Sequence, residues 1–149
     1  MPLHPLIVHI PLVLAGLVPI VAAYLARETW LGRGSRRAWL VPLALQVVIV
    51  ATVLIAIDTG GDEAGVVRAV VPRDAIHDHA GAAHWFEYAT IATLAILAAA
   101  AWLRDRRAAI AGFVATAVAL VTVVIGIRVG HLGGKLVFEH DAPAAYRAK

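Results

Sequence analysis

Four apolar runs, each about as long as a bilayer is thick, constrain this chain more than any other feature. Leu6–Leu25 has no charge and one histidine. Ala38–Ile57 has no charge and a single amide at Gln46. His84–Leu103 has one carboxylate, Glu87, and Ala108–Ile127 has no charge. About 20 mostly apolar residues carry a helix across the hydrocarbon, and a backbone in lipid must satisfy its own hydrogen bonds, so all four runs are read as helices. The predicted spans are 6–25, 38–57, 84–103 and 108–129, which makes residues 1–149 a single all-α transmembrane domain, a four-helix bundle. Composition agrees. The chain is 61% hydrophobic and 15% charged, and its mean hydropathy of +0.81 is too high for a soluble domain of this size. There is no cysteine, so disulfides, thiolate metal sites, iron–sulfur clusters and covalent c-type haem are excluded.

The loops set a direction. The first connection carries Arg27, Arg33, Arg36 and Arg37 against Glu28, and the third carries Arg104, Arg106 and Arg107 against Asp105. The middle one carries Asp58, Asp62, Glu63, Asp74 and Asp78 against Arg68 and Arg73. Short arginine-rich loops stay in the cytoplasm. Both termini and the 58–83 segment are therefore expected outside. The net charge of +3 is explained by these loops and not by nucleic-acid binding. The first helix lacks a basic n-region and has too long an apolar run for a signal peptide, so it is expected to be retained. Asp62–Val71 is predicted to form a short outer helix that Pro72 ends, and the tail after Gly134 to be irregular. Trp30, Trp39, Trp85 and Trp102 fall near span ends and read as an aromatic belt. Ala95 with Ala99, and Gly112 with Thr116, have the spacing of close helix contacts.

On this topology all seven histidines fall on one side. His4 and His9 start helix 1. His77 and His79 lie in the outer connection, and His84 starts helix 3. His131 follows helix 4 and His140 is in the tail. The spacing repeats: His4–His9 and His79–His84 are each five apart, on helices that run in the same direction, as in two related hairpins. Five residues turn a helix by about 140°, so a pair shares a face only if its first member precedes the helix. Imidazole at membrane depth points to function, and its two strong uses are metal or haem ligation and proton handling. His9, His84 and His131 reach the greatest depth and are the leading candidates for axial ligands of haem b, joined by His4 and His79. Glu87, three residues after His84, is placed to fix that imidazole. Arg128, at the outer edge of helix 4, is placed to pair a haem propionate. The alternative is a non-haem zinc, copper or iron site built from His77, His79, His140 and Asp78.

The segments His4–Pro11 (HPLIVHIP) and Gly130–His140 (GHLGGKLVFEH), with Thr59-Gly60, the acidic stretch after it and a histidine at position 79, resemble the bacterial membrane family named domain of unknown function 2231. The resemblance spans nearly the whole chain. It implies a small four-helix protein of the bacterial inner membrane, its functional side facing the periplasm, suspected of binding haem b, in a family with some members fused to cytochrome c domains. It carries over to His4, His9, His79, His131 and His140. After His140 this chain reads Asp141-Ala142-Pro143 where the family tends to Gly-Val.

Two functions follow as expectations. The first is a b-type cytochrome with one or two haems, exchanging electrons at the outer face with quinone or a periplasmic carrier, and so a candidate membrane oxidoreductase. The second is the non-haem metal site. Transport is disfavoured, because Gln46 is almost the only polar group at mid-membrane. Serine occurs once, at Ser35 on the cytoplasmic side, so serine-type hydrolysis has no support. Lipid is the expected surroundings, and self-association is left open.

Overall fold

The computed structural model describes residues 4–147. A short helix α1 (His4–Ile7) leads through one turn residue into α2 (His9–Trp30). A 3-10 turn at Arg36–Trp39 opens α3 (Leu40–Val67). The helices α4 (Arg73–Trp102) and α5 (Asp105–Phe138) follow, and the chain closes on a one-turn helix α6 (Ala144–Arg147). The four long helices run up and down, and each packs on its two neighbours in the order α2–α3–α4–α5–α2. This places every histidine at one end of the bundle and the two arginine-rich turns at the other.

The buried positions explain why these helices associate. The seam runs on α2 through Pro11, Ala15, Val18, Ala22 and Leu25, with Pro19 and Ala26 buried beside it, and on α3 through Pro42, Gln46, Ile49, Val53 and Ala56. On α5 it runs through Ala108, Gly112, Ala115, Ala119, Thr122 and Gly126, with Ala109 buried beside it. The steps alternate four and three, the 3.5-residue repeat of left-handed helix pairs. Most are small, so backbones approach closely and dispersion replaces a hydrophobic driving force that lipid does not supply. Outside this seam, Val13, Ile20, Leu54, Ile55, Val121 and Val124 are exposed and apolar. Only 28–33% of the most apolar stretch of each long helix is buried. An apolar surface of that extent belongs in lipid.

Four details differ from expectation. The tail after Gly134 is not irregular throughout, because α5 continues to Phe138 and α6 follows at Ala144–Arg147. The predicted outer helix at Asp62–Val71 is not a separate element, because α3 runs unbroken to Val67 and α4 begins at Arg73 behind Pro72. Apolar length reports the span, whereas helix length includes what stands clear of the bilayer. Trp39 is a core residue at 1% exposure, while Trp85 and Trp102 are 67% and 77% exposed as a belt requires. The Trp39 ring fills the space where Gly112 lacks a side chain, with Ala26 alongside. Ala95 and Ala99 are exposed; the contact on α4 is made by Ala82, Phe86, Thr90, Thr93, Leu97 and Ala100.

Local signals define the ends. Gly32, at φ +72°, closes α2 in a Schellman turn: Arg33 N–H donates to the Glu28 carbonyl (2.9 Å) and Gly32 N–H to Thr29 (3.1 Å). Asp74 lies in the first turn of α4, where it complements the helix dipole. Arg36 donates to the Ala101 carbonyl (2.9 Å), and Arg106 stands 4.6 Å from the Trp30 ring centre, so the arginine end is tied together. On the bundle axis the Gln46 amide donates to the Thr90 carbonyl (2.9 Å). Thr93 and Thr122 hydroxyls meet at 3.3 Å across α4 and α5.

Candidate functional site

At the histidine end two imidazoles meet. His4 projects from α1 and His79 from α4, on opposite sides of the ring of helices. Their centroids are 6.1 Å apart and their planes perpendicular, at 89°. Glycine makes the approach possible. A Cβ on Gly60 of α3 would stand 2.9 Å from His4 Cε1 and 3.0 Å from Nδ1; a Cβ on Gly133 of α5 would stand 3.2 Å from His79 Cε1. Each ring therefore lies against bare backbone of the following helix. The two His–Gly couples come from the two halves of the chain. His79 follows His4 by 79 − 4 = 75 residues, and His84 follows His9 by 84 − 9 = 75, so the structure gives the sequence repeat a spatial meaning.

The two rings differ in their bonding. His4 Nδ1 lies 2.7 Å from the Ala56 carbonyl. A carbonyl oxygen only accepts, so Nδ1 carries the proton, and in the neutral ring the Nε2 lone pair is left free. The His4 backbone N–H donates to Glu63 Oε1 (3.1 Å). His79 is half-buried, and its Nδ1 is closed off from solvent, with the Val129 backbone carbonyl beside the ring.

The tail reaches the same end. Ala142 and Ala145 are buried, and α6 packs on α3. The Tyr146 hydroxyl is screened from solvent beside the Glu63 carboxylate. Burial, with the Glu63 carboxylate beside it, pushes its phenol above the ordinary value.

The other predicted residues fall elsewhere. His9, His84 and His131 are exposed on the outside of the bundle. His84 and Glu87 do pair as expected, Nδ1 to Oε2 at 3.0 Å, and His84 stacks on Tyr88. His79 was expected before helix 3 but lies inside continuous α4; the five-residue offset then turns His79 inward and His84 outward. Arg128, His77 and Asp78 are exposed and His140 half-buried. Among the described residues, no three histidine or carboxylate side chains converge on one point. Glu63, Tyr146, Gly60 and Ala56 were missed as site residues. Only Gly60, beside Thr59 in the motif, carried a signal.

Four long apolar helices in a closed ring, with an apolar exterior and a polar end, define a four-span helical membrane protein. The chain belongs to the family DUF2231, described as a predicted membrane protein, whose model matches residues 1–145. No curated protein and no solved structure matches it.

Proposed function

We propose that this protein is a b-type cytochrome-like electron carrier in which His4 and His79 hold one haem iron at the periplasmic mouth of the bundle. The observation that carries this reading is the facing pair of imidazoles. A ligating imidazole nitrogen stands about 2 Å from its metal, so two rings sharing one metal atom have centroids on the order of 6 Å apart. The 6.1 Å between the two rings fits that span. His4 is prepared as a ligand, because the Ala56 carbonyl fixes its tautomer in the way that outer-shell acceptors orient metal-bound histidines. Two imidazoles suffice for haem iron, whose other four positions the porphyrin supplies, whereas a structural zinc needs four protein ligands. The haem would supply one-electron chemistry, and quinone or a soluble carrier would be its exchange partner.

A second reading, a bare copper, zinc or iron ion, is favoured by one observation. Gly60 and Gly133 hold the rings so closely that the gap between them suits a single atom, and a porphyrin requires α3 and α5 to separate. One experiment decides between the two. The protein is purified from cells supplied with haem precursor and metals, then examined by visible spectroscopy and elemental analysis. A reduced α-band, lost in both His4→Ala and His79→Ala, supports haem. A colourless protein with one equivalent of metal, lost in the same variants, supports the second reading. A protein with neither, or a cofactor indifferent to both substitutions, refutes the pair as a ligand site.

A further inference from the structure

We propose that the segment Glu139–Arg147 is a lid over the histidine end, seated on α3 by the buried Ala142 and Ala145, and that it controls access of ions and small reagents to His4 and His79. The chain reverses at Asp141, whose φ is +46°. Ala142 N–H donates back to the Leu136 carbonyl (3.0 Å), and Ala144 N–H to Asp141 (2.8 Å). This returns α6 across the bundle end onto α3. From there a line of contacts leads to the site: Tyr146 stands beside Glu63, Glu63 holds the His4 backbone, and His4 faces His79.

The closure is built to be weak. It buries two alanines and part of one tyrosine. The Arg147–Asp141 pair (2.6 Å) joins two largely exposed side chains and so contributes little. Segments with few buried contacts open locally at small cost. The lid therefore closes the pair off at rest and lifts readily.

The significance for cofactor loading rests on the reading of His4 and His79 as ligands, but the closure is testable without any cofactor. The full chain in detergent is treated with diethyl pyrocarbonate, and the rate at each histidine is read by mass spectrometry. Wild-type His4 and His79 are expected to react at least about tenfold slower than the exposed His84 and His131. Tyr146→Ala and Ala145→Asp, which lift the lid from two positions, should each raise the His4 and His79 rates about tenfold while His84 and His131 stay constant. Circular dichroism confirms that the helices remain. Unchanged His4 and His79 rates in both lifting variants overturn the lid, whatever the cofactor result. A protein without haem or metal that shows these rates keeps the lid and loses the ligand reading.

Discussion

Adjacent glycines on α3 offer a sharp test of the site, because one is blocked and the other open. At Gly60 a methyl group would stand 2.9 and 3.0 Å from His4 ring atoms, whereas at Gly61 it meets nothing within 4 Å. Carbon contacts settle at about 3.5–4.0 Å, so Gly60→Ala pushes the His4 ring away by roughly 0.6 Å. The 2.7 Å Nδ1–Ala56 bond then reaches the edge of hydrogen-bond range. Losing it costs about 1 kcal/mol, and the forced contact adds roughly 1–3 kcal/mol. Against this, replacing a helical glycine by alanine returns about 0.5–1 kcal/mol. The overpacking wins, and Gly60→Ala is expected to destabilise by about 1–3.5 kcal/mol, whereas Gly61→Ala receives only the helix gain of about 0.5–1 kcal/mol. The two variants should separate by several degrees in a thermal melt followed by circular dichroism in detergent, on the order of 2–4 °C per kcal/mol for a chain of this size. A Gly60→Ala protein that melts at or above Gly61→Ala would refute both the packing and the claim that His4 is seated on this helix.

The same contrast recurs on α5 in milder form: Gly133→Ala meets His79 at 3.2 Å and Gly134→Ala meets nothing, so melting should again order the pair, by less. Trp39→Ala should cost about 3–5 kcal/mol, the value of a core aromatic, while Trp102→Ala should shift the melt hardly at all; equal effects would return Trp39 to the belt. Gln46→Leu should destabilise by only about 0.6 kcal/mol, the average for a hydrogen bond between membrane helices, as measured by unfolding in mixed micelles. His84→Ala should lower stability by less than about 1 kcal/mol, since its pair with Glu87 is partly exposed, and should leave any cofactor spectrum of the purified protein unchanged.

The number of helices and the gathering of the histidines at one end were legible because both follow from runs of residue types along the chain. What was not legible is rotation. His9, His84 and His131 share a depth with His4 and His79, and depth is all that hydropathy reports. Whether a histidine looks inward depends on where its helix begins, and α4 begins at Arg73, eleven residues before its apolar span. Trp39 was misplaced for the same reason: span ends and core seams overlap there, and only its fit against Gly112 separates them. Glu63 and Tyr146 carry no pattern in sequence. Their relation is made by a chain reversal at Asp141 that brings distant residues together.

The overrun of the helices beyond the bilayer has a consequence for who can meet the site. From Arg107 to Gly133, from Arg37 to Gly60 and from Arg104 back to His79 are 26, 23 and 25 residues. At a rise of about 1.5 Å each, these correspond to about 35–39 Å, against a hydrocarbon core about 30 Å thick. With the arginines at one boundary, the paired imidazoles stand on a short pier in the headgroup layer, about 5–9 Å above the oil. A molecule confined to the acyl chains must rise to reach them, while one that skims the wet face of the membrane arrives at the right height.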